Sequence, residues 1–340
     1  MIPDLPGLPA ANFTAWATTE LPEWGPVEDA ELIAGGLSNL TYRVRFGRGT
    51  LILRRPPRGP VLPSAHDMAR EFRVLSGLQN TAVPVARTVT FHPGKDLLGA
   101  AFYLVEEVPG EVYRSPEQTA ALGEQNRAKI SAAVVETLAL VHEVDLEASG
   151  LQDFGRPNGY LRRQIRRWGQ QWAASKTRDL PAMDTLLAEL GARSPDDSAS
   201  TLVHGDYRLD NMIVRGQSVV AVVDWELSTL GDPLADLALT LTYWGDGGTD
   251  SGGVISIAAG VTSGTGFLTA DEFALAYAAR TGRSLERLPF YRAFAEFKLA
   301  VILEGVHARY LSGGTVGEGY AHAGQSVPLL VERALQSLNT

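Results

Sequence analysis

Up to about residue 110 the chain runs in short apolar segments broken by turn residues, and beyond it apolar positions recur mainly at helical spacing. Val27 to Ala34 and Leu40 to Phe46 are strand-length runs on either side of Gly35-Gly36-Leu37-Ser38-Asn39. The turn Gly47-Arg48-Gly49 leads to a third, Leu51-Ile52-Leu53-Arg54-Arg55, which stops at Pro56-Pro57. Val83 to Phe91 and Phe102 to Val108 complete a predicted five-stranded antiparallel sheet. Phe13, Trp16 and Leu21 mark a helix over Leu8 to Leu21, and Met68, Phe72, Leu75 and Leu78 mark another over Ala65 to Gln79.

Beyond Ser115-Pro116, a cap followed by a helix-starting proline, the pattern predicts a strongly apolar helix over Arg127 to Val144. Tyr160 to Ser175 sets Leu161, Ile165, Trp168 and Trp172 on one helical face and Arg162, Arg163, Arg166 and Arg167 on the other. That basic face is either solvated or turned to an anionic ligand, because arginine clusters suit carboxylates and phosphates. Residues 245–266, rich in Gly, Ser and Thr, read as a long loop beside an acceptor pocket. Helices follow over Thr269 to Arg280, Ser284 to Tyr310 and about Tyr320 to Leu338, the second carrying Glu296, Lys298, Glu304 and His307.

The stretch with most chemistry is Leu202-Val203-His204-Gly205-Asp206-Tyr207-Arg208-Leu209-Asp210-Asn211. After it, Met212-Ile213-Val214 and Val219 to Val223 flank the turn residues Arg215-Gly216-Gln217-Ser218, the pattern of a hairpin. Asn211 therefore precedes one strand and Asp224 follows its partner, so both belong to the same end of the ribbon. Oxygen donors collected this way suit Mg²⁺, which takes one or two carboxylates and completes its shell with water and substrate phosphates. Acids around a buried hairpin are the alternative for any one of these residues. Their combined spacing points to phosphoryl transfer, which needs a base near the acceptor hydroxyl, metal on the phosphates and cationic clamps.

Composition narrows the setting. At 340 residues the chain can bury two cores, which favours two lobes of unequal size. A net charge of −9 disfavours nucleic acid as a partner, and no run is long and apolar enough for a membrane span. The first residues, Met1-Ile2-Pro3-Asp4, do not read as a signal peptide, and a chain with no cysteine has neither disulfides nor a thiolate metal site. A cytoplasmic location fits these features.

His204-x-Asp206, Asn211 at its spacing, Asp224-Trp225-Glu226 and Gly231-Asp232-Pro233-x-x-Asp236 together resemble the aminoglycoside phosphotransferase form of the protein-kinase-like family. The nearest resemblance is to the phosphotransferase domains found beside acyl-CoA dehydrogenases. It implies an α+β, bilobal protein-kinase-like fold: a nucleotide-binding lobe over residues 1–105 with the five-stranded sheet and a helix, a hinge over 106–110, and a mainly helical lobe over 111–340. It implies ATP and Mg²⁺ as cofactors, with Asp206 as the catalytic base and Asn211 and Asp224 as metal ligands. His204 and Asp236 would brace the catalytic loop. Gly36, Leu37, Ser38 and Asn39 would cover the phosphates, and Glu106 and Val108 would lie against the adenine. Arg54 stands where the family has a lysine, with Glu71 as its ion-pair partner. Arginine keeps the charge but has a different shape.

A hydroxy acid or hydroxyacyl thioester is the acceptor this resemblance implies, and it agrees with the arginine helix. A sugar, amino alcohol or aminoglycoside is the alternative, and a nucleotide-binding pseudokinase or interaction module is the reading from a different class. The acceptor's identity, ATP against GTP, a second metal at Glu226 and the oligomeric state stay open.

Overall fold

Along β3 (Gly49–Arg55) side chains alternate between the faces of a sheet, and each face meets a different partner. Leu51 and Leu53 are buried with Phe13, Ala17, Val44 and Phe102, in a core between the sheet and helix α1 (Ala10–Glu20). Ile52 packs on the opposite side, in the core that holds Met68, Leu75 and Leu78 of α2 (Met68–Leu78). The neighbouring arginines follow the same rule. Arg55, buried on the α1 side, donates to Gly7 O at 2.5 Å and Leu98 O at 2.7 Å, whereas Arg54 faces α2 and pairs with Glu71.

The structure is a computed structural model that describes residues 2–33, 39–58, 66–156, 158–195, 200–245, 260–313 and 320–339. Its sheet runs in the order β1-β2-β3-β5-β4, antiparallel throughout, with β1 at Val27–Leu32, β2 at Leu40–Phe46, β4 at Thr88–His92 and β5 at Phe102–Glu106. The expected five-stranded antiparallel sheet is therefore present. One strand is shorter than its apolar pattern suggests: Val83 to Arg87 lies outside β4. Pro84 has no amide to donate to a ladder, and its carbonyl instead accepts from Val222 N at 2.8 Å, tying this segment to the hairpin.

After β5 the chain is mostly helical. Ser115 caps α3 (Pro116–Ala120) in a capping box with Gln118, then come α4 (Glu124–His142), α5 (Tyr160–Ser175) and α6 (Pro181–Arg193). Three-residue β6 (Thr201–Val203) pairs with β9 (Thr229–Gly231), and between them β7 (Met212–Arg215) and β8 (Ser218–Val222) form the expected hairpin. Asp232 caps α7 (Pro233–Tyr243), its side chain accepting from Leu234 N, with Pro233 at the first helical position. α8 (Ala270–Thr281), α9 (Leu288–Leu311) and α10 (Ser326–Ser337) follow, and α9, buried through most of its length, is the post on which α5, α7 and α10 pack. On α5 Leu161, Ile165 and Trp172 are buried while Arg162, Arg166 and Arg167 are exposed, the amphipathic split its sequence predicts. Most of the expected loop over 245–266 lies outside the described residues.

The backbone after β5 docks on the hairpin. Glu111 and Val214 exchange both backbone hydrogen bonds at 2.8 Å, and a Cβ on Gly110 would fall 2.6 Å from Ile213 Cγ2, so glycine is what permits the approach.

Candidate active site

β6 delivers the chain to His204 at the centre of the helical core, and the following loop is fixed by hydrogen bonds to its backbone. Asp236, one turn into α7 and 4% exposed, accepts from His204 N at 2.7 Å and from Gly205 N at 2.8 Å. Burial pushes the Asp236 carboxyl up, but the His142 hydrogen bond, His204 and the amides outweigh it and hold the group below its ordinary range. His204 Nε2 lies 3.0 Å from Val223 O, and its Nδ1 accepts from Asp206 N at 3.3 Å. The ring so tautomerised spans the loop and the end of β8, and neither nitrogen is left to serve as a base. Gly205, at φ +86°, has room for no side chain, because a Cβ would lie 2.7 Å from Leu227 O.

The Asp206 carboxylate accepts from Asn211 Nδ2 at 3.0 Å and has Arg208 Nε at 3.3 Å, and it keeps about a quarter of its side chain exposed, 24%. Asn211 Nδ2 also donates to Asp206 O at 2.9 Å, which turns the amide oxygen away from Asp206. At the backbone, Asn211 O accepts from Val223 N at 2.9 Å. This closes the hairpin end and sets Asp224 beside Asn211. Asp224 has φ +65° and, with His66, is one of two non-glycine residues in the left-handed region among the described residues. Strain of that kind persists where surrounding structure enforces it.

A second cluster converges on Asp224 from the sheet. Arg54 Nη1 is 3.1 Å from Glu71 Oε1, and its Nη2 donates to Asp224 Oδ1. Glu226 Oε2 lies 3.9 Å from the same Nη2 and accepts from Asn39 Nδ2 at 2.9 Å, while Asn39 Oδ1 meets His66 Nδ1 at 2.8 Å. Burial, opposed by Arg54, pushes the Glu71 carboxyl up to about 7, and burial with Asp224 raises Glu226 as well. Arg54 is raised by Glu71 and Asp224, which overcome its own burial. Arg70 reaches across from α2: it lies over the Phe154 ring at 3.8 Å and donates to Phe154 O and Ser228 O.

Of the residues singled out in the sequence, Asn39, Arg54, Glu71 and Asp224 thus meet in one cluster and His204, Asp206, Asn211 and Asp236 in another, joined at the Asn211–Val223–Asp224 corner. Gly36, Leu37 and Ser38 lie outside the described residues. Glu106 closes β5, its side chain 3.6 Å from Arg87, and Val108 follows on the way to Gly110. Asn211 and Asp224 offer hard oxygen donors at one corner, which fits Mg²⁺ completed by phosphates and water, although Arg54 occupies one Asp224 oxygen.

Two residues join the site without having been assigned to it. Arg208, two positions after Asp206, bridges Asp206 and Asp210 and lies over the Tyr243 ring at 5.1 Å. Lys298 is the one of the four α9 candidates that reaches the loop, its Nζ donating to Gly205 O at 3.2 Å. Glu296 pairs with Arg333 on α10, and buried Glu304 accepts from Thr177 N and pairs with Arg178.

The model of the phosphotransferase enzyme family matches residues 29–293. Acyl-CoA dehydrogenase family member 10 of Mus musculus is 36% identical over 88% of this chain and 28% of its own length. Acyl-CoA dehydrogenase family member 11 of Rattus norvegicus is 35% identical over 96% of this chain and 42% of its own length. The chain thus spans less than half the length of these curated relatives. Among solved structures, a Ralstonia eutropha protein assigned to the aminoglycoside phosphotransferases shares 31% identity and a TM-score of 0.82, covering 97% of this chain and 98% of that one. An aminoglycoside phosphotransferase in ternary complex with AMP-PNP and hygromycin B shares the fold at 15% identity and a TM-score of 0.63, over 97% of this chain and 98% of that one. The protein-kinase-like architecture and the spacing around Asp206, Asn211 and Asp224 are accounted for together: the chain belongs to the phosphotransferase enzyme family.

Proposed function

We propose that this phosphotransferase is an ATP-dependent kinase that phosphorylates a hydroxyl of a small anionic metabolite. The observation that carries the reading is the corner at which Asn211 O accepts from Val223 N, because it gathers Asp206, Asn211 and Asp224 at one end of the hairpin. Asp206 orients the acceptor hydroxyl and takes its proton as the oxygen bonds to the γ-phosphorus and the bond to the β-phosphate oxygen breaks, releasing ADP. Asn211 and Asp224 hold Mg²⁺, which when bound neutralises charge on the phosphates. His204 and Asp236 position the loop. Arg54, held by Glu71, turns from Asp224 to the phosphates, Gly36 to Asn39 cover them, and Glu106 to Val108 border the adenine. Residues 1–105 and 111–340 act as the two lobes about the connection over 106–110.

Nucleotides bound to structural neighbours, among them AMP-PNP, ADP and GDP, support the cofactor assignment. A hydroxy acid or hydroxyacyl thioester is the acceptor in this reading, supported by the arginine face of α5 and by relatives named as acyl-CoA dehydrogenase family members. The contact of Arg54 with Asp224 favours a second reading, a nucleotide-binding module that does no chemistry, because it covers a metal ligand.

Thermal midpoints with ATP, Mg²⁺ and both separate these accounts. A ligand at a hundred times its Kd adds roughly 2.7 kcal/mol to the native state. The kinase reading expects a Mg²⁺-dependent rise that Asp224→Ala abolishes, together with slow ATP turnover that Asp206→Asn lowers by about 10²- to 10⁴-fold. No rise with nucleotide overturns both readings, and a rise without turnover in the presence of hydroxylated acceptors leaves the binding module.

A further inference from the structure

The face of the sheet turned from Asp224 holds a cavity that phosphoryl transfer does not use. It measures about 730 Å³, a size that takes a small metabolite, and is walled by Asp4 to Gly7, the end of β3 and residues between Lys95 and Ala101. Arg55 lines it. Only 4% exposed, its guanidinium donates from Nη1 to Gly7 O and Leu98 O and from Nε to Pro56 O, while Nη2 has no hydrogen-bond partner among the described residues. All of its acceptors are carbonyls. Arg54, one position earlier, has Glu71 and Asp224, whereas no carboxylate among the described residues pairs with Arg55. A buried charge of this kind is costly unless an opposite charge meets it. Two further cations on the lining, the exposed Arg58 and Lys95, also make no ion pair among the described residues. Burial pushes the Arg55 guanidinium down, Tyr42 opposes that, and Arg58 adds to it. Asp4, the one acid among the described lining residues, accepts from Ala10 N at 2.7 Å.

We propose that this cavity binds a small organic phosphate, a phosphate monoester carrying an aliphatic group, at a site separate from Asp206. The phosphate meets Arg55 Nη2, Arg58 and Lys95, and the carbon chain lies along Pro6, Pro9, Pro56 and Leu98. Three cations against one carboxylate suit a phosphate monoester, which carries nearly two negative charges at pH 7, better than a monocarboxylate. The apolar wall favours an ester over the bare ion. Consecutive residues of a strand point to opposite faces, so Arg54 and Arg55 put the two sites on opposite sides of the sheet. The inference therefore does not depend on the kinase reading.

The test is a calorimetric titration of the full chain with butyl phosphate, inorganic phosphate, butyrate and butanol, with and without Mg·AMP-PNP. Butyl phosphate should bind saturably, with the same affinity in both conditions and more tightly than inorganic phosphate or butyrate, and butanol should not bind. Because Arg55 also holds the Gly7 and Leu98 carbonyls, the substitutions are made at the exposed cations. Arg58→Gln combined with Lys95→Gln should weaken binding about ten- to a hundred-fold, the worth of a hydrogen bond to a charged group. Lys129→Gln combined with Arg309→Gln makes the same change of charge at exposed positions on α4 and α9 and should leave the affinity unchanged. Thermal midpoints show that the variants are folded. Absence of saturable binding, displacement by Mg·AMP-PNP, or one Kd for wild type and the Arg58→Gln, Lys95→Gln chain overturns the site. Butyrate or inorganic phosphate binding as tightly as butyl phosphate overturns its assignment to a phosphate ester.

Discussion

The two clusters that meet at Asp224 are held by different physics. Around Asp206 the restraints are short hydrogen bonds to backbone groups: Asp236 takes two amides, Val223 O meets His204, and Asn211 closes on Asp206. Around Arg54 the restraints are charges, with Glu71, Asp224 and Glu226 sharing one guanidinium. Directional bonds to main chain fix a geometry and leave no equivalent alternative. A guanidinium among three carboxylates can point its fork at more than one of them. One side of the site is therefore fixed by direction and the other by charge.

The sharpest way to break this contrast is Asp236→Asn. Its NH2 would oppose one of two buried backbone donors, and an unsatisfied buried donor costs about 1–3 kcal/mol. Urea unfolding should show a loss of at least about 2 kcal/mol; a loss near zero would mean the loop has other supports. Arg54→Lys should cost less, about 1 kcal/mol by the same measurement, because charge is kept and only the fork that reaches Glu71 and Asp224 together is lost. An equal loss in both variants would erase the distinction. The last test reads a slope. Between the ordinary value of 4.5 and about 7, folded Glu71 keeps a proton that the unfolded chain releases. Its contribution to stability is complete below that window and declines as pH rises through it. Glu71→Gln should flatten this part of the stability profile, and a profile identical to wild type would remove Glu71 as its source.

Much of the first cluster was legible because it is local. The loop, the hairpin and the Asp232 cap lie within one stretch, where turn chemistry and strand propensity are written residue by residue. The Arg54–Glu71 pair was legible as well, from a strand and a helix that follow one another. Contacts between distant segments were not. Nothing near Arg54 signals that it will touch Asp224, and Val83 to Arg87 looks like strand until Pro84 is seen bonded to β8. β6 and β9 are too short to show a period. On α9, apolar residues surround the helix, so its pattern does not say which of Glu296, Lys298 and Glu304 faces the loop. Arg208 stood in the key stretch, but its role depends on Tyr243 from α7.

The seat of Gly110 on the hairpin carries a mechanical consequence. Because Glu111 and Val214 are paired in both directions, the strand that follows Asn211 and the backbone after β5 form one lever arm. A side chain at 110 would jack that lever off its bearing, because its Cβ would meet Ile213 and Val214 O. Glu111 and the hairpin that follows Asn211 are therefore displaced together or not at all.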